Sequence, residues 1–213
     1  MPAARSRTSA PAAPASSSGP RPGLRERKKL RTREAIRAAT YALVEERGYD
    51  AATVERIAER AEVSPSTVLR YFPAREDIVL ADEDDTLLLE EVRRRPADEP
   101  WPDTVRQVLR RAVRHGIDTD EHTARLRARL MVQVPAVRSR MRESMSATGR
   151  TLGRAVAERT GRDPDDLEVR AYATALTGTL LETSLYWAEH GHRDDLTALV
   201  DRALDALPPG KDH

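Results

Sequence analysis

The sequence contains no cysteine, which excludes disulfide bonds, thiolate metal sites and cysteine nucleophiles. Aromatic residues make up only 4% of the 213 residues, with a single phenylalanine, so a core must be built from Leu, Val and Ala. These residues suit helices better than sheets, and we expect an all-α protein. No apolar run approaches the roughly 18 residues that a membrane span needs, and the N-terminus lacks the apolar core of a signal peptide. We therefore expect a cytoplasmic protein.

Positive charge is concentrated at the N-terminus, although the net charge of the whole chain is only +1. Residues 1–33 contain nine basic residues against the single acidic Glu26, a local charge of +8 that leaves −7 for the other 180 residues. Residues 1–24 are also rich in Pro, Ala and Ser, which predicts a disordered basic tail. Such a tail can contact DNA, or it can stay solvated and only strengthen long-range attraction.

The stretch from residue 53 to residue 77 has the pattern of two short helices joined by a tight turn. Apolar residues recur at helical spacing after Thr53, which can cap the first helix. Ser64 can cap the second helix, Pro65 fits its first position, and Pro73 ends it. This pattern is typical of a helix-turn-helix, although a helical hairpin with a polar outer face has the same periodicity. The basic region beside it favours the DNA-binding interpretation.

The second short helix carries the expected DNA-reading surface. Val68 and Phe72 would face inward, which leaves small and hydrogen-bonding groups outside, at or beyond a helix N-terminus where phosphate is favoured. The outward side chains are those of Ser64, Ser66, Thr67, Arg70 and Tyr71. A helix with this surface fits the major groove of DNA.

A longer helix is predicted before the helix-turn-helix, over residues 27–47, with Gly48 at its end. Leu30 is expected on its apolar side. Arg31 and Arg33 lie near its start, where positive charge opposes the helix dipole, so a phosphate contact is one reason for their presence. A solvated charged face is the other.

Residues 30–80 resemble the DNA-binding domain of the TetR family of transcriptional regulators. The resemblance rests on the helix end at 47–49, the turn, the second helix end at 71–73 and the charged start of the next helix, all in order. The division that it implies is a three-helix helix-turn-helix domain over 25–73, a larger C-terminal helical domain for ligand binding and dimerisation over 74–207, and a tail over 208–213.

The resemblance also implies which side chains contact DNA. The expected base readers are Ser66, Thr67 and Arg70, the expected phosphate contacts are Thr53, Tyr71 and Arg75, and Ser64 joins them without an assigned role. Arg70 is the best candidate for guanine. Because Glu62, Ser66 and Leu69 stand where the family usually has glycine, glycine and an aromatic residue, the base preference of relatives is not implied.

Apolar periodicity predicts six further helices. They are expected over 74–94, 102–116, 121–133, 136–160, 163–191 and 194–207. The helix over 163–191 is apolar most of the way round, so one face is expected in the core and another against a partner subunit. The resemblance implies a homodimer through this helix and the last one. A two-fold dimer would bind an inverted-repeat operator in double-stranded DNA, with half-sites about 34 Å apart or a multiple of this.

The chain offers little sign of catalysis. His190 and His192, followed by Asp194 and Asp195, could in principle ligate a metal, but a polar cluster in a loop after a helix is a sufficient account of them. No catalytic histidine spacing, glycine-rich phosphate loop or nucleophile elbow occurs. We predict no enzyme activity, no metal site and no cofactor.

The resemblance implies a small-molecule effector inside the larger domain. The candidate lining residues are Leu109, Leu130, Met131, Gln133, Tyr172, Leu176, Thr179 and Thr183, although core packing explains each of them equally well. The motifs R-L-M-V-Q-V-P-A-V and W-A-E-H-G are similar to those of actinobacterial regulators of the mycofactocin-system type. This similarity implies a fatty, acidic effector such as an acyl-CoA, met by Arg125 or Arg129. We expect a repressor that the effector releases, with an effector-free regulator or activator as the alternative.

Overall fold

The computed structural model describes residues 23–80, 85–163 and 165–208, and the side chains within them except those of residues 85–87. These ranges form nine α-helices and no β-strand, which confirms the predicted all-α fold class. The predicted disordered tail lies outside the described residues except for Gly23 and Leu24. Leu24 is the first residue of a helix, so the helix starts three residues before the predicted position.

The helices follow the predicted order along the chain. They are α1 (Leu24–Arg47), α2 (Val54–Arg60), α3 (Pro65–Tyr71), α4 (Arg75–Val79), α5 (Asp85–Arg94), α6 (Trp101–Gln133), α7 (Pro135–Thr160), α8 (Leu167–Glu189) and α9 (Leu196–Asp205). The first four helices pack on one another, and their buried residues belong to the same hydrophobic cluster as those of the larger part. In the larger part, α8 packs against α6, α7 and α9, and α7 also packs against α5.

The start and end signals of the helix-turn-helix act as predicted. Gly48 ends α1 with a φ of 82°, a conformation that a residue with a Cβ rarely adopts. Thr53 caps α2, because its side chain accepts a hydrogen bond from the backbone of Arg56. Ser64 caps α3 in the same way through Thr67. These predictions are confirmed, and they show that local chemistry defines the two short helices.

The prediction of which α1 residues are buried is only partly correct. Leu30 was expected on the apolar face but is 46% exposed. The buried residues of α1 begin at Ile36, so the first turns of the helix project beyond the helices that pack against its second half. An exposed leucine at this place therefore reflects the length of α1 and not a change of periodicity.

The predicted continuous helix over 74–94 is wrong. It is divided into α4 and α5, because Leu80 follows α4 in an extended conformation with a ψ of 133°. Leu80 is buried, and side chains from other helices take the carbonyls at the end of α4. Tyr41 bonds the carbonyl of Val79 at 2.9 Å, and Arg37 bonds that of Leu80 at 3.5 Å. These side chains from other helices bond carbonyls that would otherwise accept hydrogen bonds from the N–H groups of a continuing helix.

The predicted gap between the helices over 102–116 and 121–133 is much shorter than expected. Gly116 does not end the first helix, and the helical hydrogen bonding continues to a kink at Asp120, with a φ of −159° and a ψ of 82°. The Asp120 carboxylate accepts a hydrogen bond from the Thr123 N–H at 3.0 Å, which caps the second half of α6. A hydrogen bond from the Thr123 side chain, followed by this backbone bond, lowers the pKa of Asp120.

The start of α8 also differs from the prediction, since the helix begins at Leu167 and not at residue 163. Asp166 is its cap, and its carboxylate accepts hydrogen bonds from the backbone of Glu168 and Val169. The long helix α7 ends at Gly161 in the left-handed conformation, as predicted. None of the described helices is long and apolar enough to cross a membrane.

The packing of α7 against α8 depends on a close approach. At Gly149, an added Cβ would lie 3.1 Å from the Thr177 hydroxyl and 3.6 Å from the Cα of Thr174. Leu152 and Leu176 are buried in the same layer. The close contact places α8 in the centre of the larger part, with one side left for the surface.

Candidate nucleic-acid interface

Helix α3 begins with a group of hydroxyls. The Ser64 hydroxyl accepts a hydrogen bond from the Thr67 N–H at 3.1 Å. The same oxygen lies 2.9 Å from the Ser66 hydroxyl and 2.8 Å from the Thr67 hydroxyl. Three of the predicted DNA contacts are therefore one hydrogen-bonded group. Each hydroxyl has one donor and two acceptor positions, so the hydroxyls of Ser66 and Thr67 keep capacity for a further bond.

One face of α3 is turned to solvent. Val68 and Phe72 are buried and anchor the helix, while Ser66, Leu69 and Arg70 are exposed. Residues at spacings of three and four adjoin on a helix surface, so these three side chains form one outer face. The predicted contacts include Ser66 and Arg70 but omit Leu69. A single apolar residue in a sequence gives no signal of DNA binding, because exposed leucines are common.

Two predicted DNA contacts, Arg33 and Arg75, also bind groups within the domain. The Arg33 guanidinium lies 4.6 Å from the centre of the Phe72 ring and donates to the Tyr71 carbonyl at 3.5 Å. The Arg75 guanidinium lies 4.1 Å from the centre of the Tyr49 ring and donates to the Tyr49 carbonyl at 3.4 Å. Both arginines therefore hold neighbouring segments in place, whether or not they also reach phosphate.

Tyr49 connects the end of α1 to α4. Its hydroxyl donates to Glu76 Oε1 at 2.9 Å. Burial, followed by this hydrogen bond, raises the pKa of Tyr49 to about 12. The hydroxyl consequently stays protonated at physiological pH and remains a donor that holds α4 against the core.

Of the other predicted contacts, Thr53 and Tyr71 are half-buried, and Tyr71 packs against the core. Arg31 and Arg70 are exposed, and Arg70 lies 5.5 Å from the ring of Tyr71. Thr53 uses its hydroxyl as the cap of α2, with the Arg56 N–H at 3.4 Å. The structure thus groups the α3 residues on one short helix, with Thr53 at the start of α2 and Arg75 at the start of α4.

The larger part of the chain is hydrogen-bonded directly to α4 and α1. Arg127, in the second half of α6, donates to the Val79 carbonyl at 3.1 Å and to the Tyr41 hydroxyl at 3.3 Å. Arg140, near the start of α7, donates to Asp77 at 2.6 Å. These contacts connect the helices of the larger part to the helix that directly follows α3.

The predicted ligand-lining residues fall into four groups. Leu109, Leu130, Met131 and Leu176 are buried in the hydrophobic core, Thr179 and Thr183 bond carbonyls of their own helix, and Gln133 is exposed. Tyr172 accepts a hydrogen bond from Arg106 Nε at 2.6 Å and packs edge-on against Trp101. Their positions suit a core, and lining an effector cavity remains a prediction for them.

The two predicted ligand-binding arginines lie beside His192. Arg125 and Arg129 are exposed on α6, and the structure gives His192 Nε2 no hydrogen-bond partner although this atom is buried. Burial, and then the charges of the two arginines, lower the pKa of His192 below its ordinary value. Arg125 is also paired with Glu121 at 2.6 Å.

A cleft of about 350 Å³ lies between α5 and α7. It is lined by Arg93, Arg95, Ala97, Ala155, Glu158 and Arg159. All three of its arginines are already engaged: Arg93 pairs with Glu158 at 3.8 Å, Arg95 pairs with Glu99, and Arg159 donates to the carbonyls of Val92 in α5 and Glu99 before α6. No predicted ligand-binding residue lines this cleft.

The described residues contain no group of three or more His, Asp or Glu side chains that could hold a metal ion. His190 stacks on Tyr186 with ring centres 3.9 Å apart, and His192 packs edge-on against Trp187. The Trp187 ring N–H donates to the Asp194 carbonyl at 2.8 Å. Aromatic packing thus accounts for the arrangement of these histidines.

Comparison with known proteins identifies both parts of the chain. Residues 36–81 match the family described as bacterial regulatory proteins of the tetR family, and residues 99–212 match the MftR C-terminal domain. The HTH-type transcriptional regulator TcmR of Streptomyces glaucescens is 33% identical over 202 residues, with 88% of each protein covered.

Two solved structures share the fold. FadR of Thermus thermophilus, a TetR family transcriptional repressor in complex with lauroyl-CoA, is 25% identical, with a TM-score of 0.51 over 81% of this chain and 91% of that chain. The fatty acid degradation regulator FadR of Bacillus halodurans is 22% identical, with a TM-score of 0.54 over 82% and 93% of the two chains.

These similarities confirm the predictions of a regulator and not an enzyme, and of a helix-turn-helix domain followed by a larger helical domain. The domain match at residues 99–212 covers more than half of the chain, and the relative from Streptomyces glaucescens matches through most of its length. The chain therefore belongs to the TetR family of transcriptional regulators, with a C-terminal domain of the MftR type.

Proposed function

We propose that the chain is a homodimeric repressor that binds an inverted-repeat operator and leaves it when an acyl-CoA-like effector binds. The direct hydrogen bonding of Arg127 and Arg140 to α4 carries this proposal. A shift of α6 or α7 would move α4 and reorient α3. In a two-fold dimer, that movement changes the distance between the two α3 helices, which must match half-sites about 34 Å apart.

DNA binding is assigned to residues 25–73, and effector binding and dimerisation to residues 74–207. Ser66, Thr67 and Arg70 read base edges in the major groove, and the basic residues before α1 strengthen the attraction to phosphate. Because bacterial chromosomal DNA lies in the cytoplasm, the proposed function places the protein there.

The outer side of α8 supports dimerisation. Ala171, Ala175 and Gly178 are exposed along it, Leu181 is partly buried, and Tyr186 is 39% exposed. Small residues allow a partner helix to approach closely, and exposed apolar surface is stabilised when a second subunit covers it. Helix α9 packs against α8 and would extend the same interface.

An acyl-CoA-like effector combines a fatty chain with an acidic end. The buried leucines of α6 and α8 provide apolar surroundings, and Arg125 and Arg129 provide positive charge beside His192. The complex of Thermus thermophilus FadR with lauroyl-CoA supports the same class of effector for this chain. The proposal therefore assigns the chain end of the effector to the core and its acidic end to the arginines.

Footprinting on the DNA upstream of the gene for this protein, at two salt concentrations, tests operator binding. A protected inverted repeat that competes against random DNA supports the proposal. Sequence-blind binding that disappears at the higher salt concentration contradicts it, because phosphate contacts alone produce that behaviour. Selection from random DNA supplies an operator if the upstream region contains none.

Lauroyl-CoA added to the protein–operator complex tests the effector. Release of DNA by lauroyl-CoA, but not by coenzyme A or laurate alone, supports the proposed effector class. The double variant Arg125→Ala, Arg129→Ala should bind the operator normally and require more lauroyl-CoA for release. Arg111→Ala is the matched control, since Arg111 is an exposed arginine on the same helix. Equal release from all three proteins would contradict the assignment of the arginines.

A regulator of the same fold without a small-molecule effector is the second candidate. The packing of Leu109, Leu130 and Leu176 in the hydrophobic core favours it, because an effector would have to displace this packing. Operator binding that no acyl-CoA changes, together with unaltered thermal stability in its presence, would favour this candidate.

A further inference from the structure

Leu69 is a large apolar side chain on the outer face of α3, with about half of its surface open to solvent. Its exposed fraction is 49%, whereas Val68 and Phe72 on the inner side of the helix are buried. Leu69 belongs neither to the core cluster nor to the partly buried residues that pack against that cluster. Packing within the described part of the chain therefore gives no reason for a leucine at this position.

The surroundings of Leu69 argue for DNA and against a protein partner. Ser66 and Arg70 adjoin it on the outer face, and both are exposed hydrogen-bonding side chains. A protein-docking surface needs a continuous apolar patch, which these polar neighbours interrupt. In a helix-turn-helix, the outer face of the second helix instead docks in the major groove, and α3 is that helix in this chain.

We infer that Leu69 reads thymine through the thymine methyl group, an inference that rests on the proposed binding of a specific operator. A leucine has no hydrogen-bonding group and cannot read the donor and acceptor pattern of a base edge. In the major groove, however, thymine presents its C5-methyl group, which an apolar side chain can contact. Leu69 would thus be a specificity-determining residue, while Ser66 and Arg70 bond the edges of neighbouring bases.

The test compares thymine with uracil, which differs from thymine by the absence of the methyl group. Wild-type protein first selects its half-site from random DNA, and each thymine of the selected duplex is then replaced by deoxyuridine. The dissociation constant is measured for the wild type, Leu69→Ala and Leu69→Met. Burial of one methyl group corresponds to a roughly four-fold change in affinity per half-site.

We expect the wild type to lose about four-fold in affinity per half-site when the contacted thymine is replaced by uracil. Leu69→Met retains an apolar side chain of similar length and should keep this preference. Leu69→Ala should bind the thymine and uracil duplexes equally at that position. Leu30→Ala is the matched control, because Leu30 is 46% exposed on α1 and should leave the preference unchanged.

Two outcomes overturn the inference and leave operator binding intact. One is an equal loss for the wild type and Leu69→Ala when the methyl group is removed. The other is a selected half-site in which no thymine is sensitive to loss of its methyl group. A wild-type protein that selects no sequence at all refutes the proposed operator binding and this inference together. Circular dichroism at increasing temperature confirms that each variant is folded.

Discussion

Arg70 combines exposure on α3 with the side chain best suited to guanine. Its guanidinium lies 5.5 Å from the centre of the Tyr71 ring, which is a loose contact, so the guanidinium can turn towards DNA. The residue thus differs from Arg33 and Arg75, whose guanidinium groups pack against Phe72 and Tyr49.

Arg70→Ala should weaken operator binding by about 1–3 kcal/mol and relax the preference at one base position. Affinities measured for a set of single-base operator variants test this prediction. A loss of the same size for every operator variant would mean that Arg70 contacts phosphate. Arg60→Ala is the control, since Arg60 is an exposed arginine of α2 that is paired with Glu46.

Arg106 is a buried cation whose partners are neutral. Its exposed fraction is 7%, and it donates to the Tyr172 hydroxyl and to the carbonyls of Leu204, Leu207 and Pro208. These carbonyls follow or lie in the last turn of α9, where helical partners are absent. A cation there is also favoured by the helix dipole.

Arg106→Ala should lower the free energy of unfolding by about 3 kcal/mol, because several buried acceptors lose their donor. Urea denaturation of the purified variant measures this change. Arg111→Ala is the control, since Arg111 is exposed and its ion pair with Glu91 should contribute less than about 1 kcal/mol. Similar losses for both variants would contradict the structural role of Arg106.

His192 should make stability depend on pH. Burial and the charges of Arg125 and Arg129 lower its pKa in the folded state, while the unfolded chain binds the proton near the ordinary value of about 6.5. As the pH falls, the unfolded state therefore binds more protons than the folded state does. The stabilisation from neutral His192 is complete above about pH 6.5 and is lost progressively below it.

His192→Asn should reduce this dependence, and asparagine tolerates the φ of 56° at this position. Free energies of unfolding at pH 7.5 and 5.5 should differ less for the variant than for the wild type. His115→Asn, on the exposed surface of α6, is the matched control. If the difference between the free energies of unfolding at the two pH values were the same in His192→Asn as in the wild type, His192 would not be its cause.

At the scale of elements, the end of α4 is defined by other helices. Tyr41 of α1 and Arg127 of α6 share the Val79 carbonyl, and Arg127 also bonds the Tyr41 hydroxyl. Three helices therefore meet in one hydrogen-bonded triangle. Such a triangle couples its members, so the effects of removing them should not add.

A double-mutant cycle of Arg127→Ala and Tyr41→Phe should show a coupling of about 1 kcal/mol in the free energy of unfolding. The control cycle pairs Arg125→Ala with Tyr41→Phe, since Arg125 lies on α6 but bonds Glu121. Additive effects in both cycles would show that the triangle is not a coupled unit. Operator affinity of the same variants would reveal whether the triangle also positions α3.

At the scale of the whole molecule, α8 is covered on its inner side by α6 and α7 and carries small exposed residues on its outer side. At Gly178, an added Cβ would meet no atom within 4 Å in its own chain. A large side chain at this position therefore leaves the fold undisturbed but would obstruct a partner subunit.

Gly178→Arg should convert the proposed dimer to a monomer and weaken operator binding, because one subunit contacts one half-site alone. Sedimentation and light scattering measure the mass of the variant. Gly116→Arg is the matched control, since Gly116 also lies in a helix with no atom within 4 Å of an added Cβ. A variant Gly178→Arg that remains a dimer would contradict an interface through α8.

The predictions that were confirmed depend on chemistry within a few residues. Gly48 ends α1, and Thr53 and Ser64 cap the next two helices, because each of these signals involves neighbouring backbone groups. The resemblance over residues 30–80 also led to the correct family, since that region carries several specific features in order. The roles of the predicted DNA-binding and ligand-binding side chains stay predictions.

The errors arose where distant residues decide the structure. A helix over 74–94 is compatible with the local sequence, but Tyr41 and Arg127 bond the carbonyl at the end of α4. Leu30 has the spacing of a buried residue, yet the first turns of α1 extend beyond their neighbours. Periodicity reports which side of a helix is apolar and contains no information about what lies opposite that side.

By itself, the sequence determined the all-α class, the starts and ends of α2 and α3, and the family, because spacing, capping and turn chemistry are local and specific. Only the tertiary structure decided that Arg33 packs on Phe72, that Arg106 holds the end of α9 and that Leu69 stays exposed on α3. These facts depend on contacts between residues far apart in the chain, and such contacts exist only once the helices have packed together.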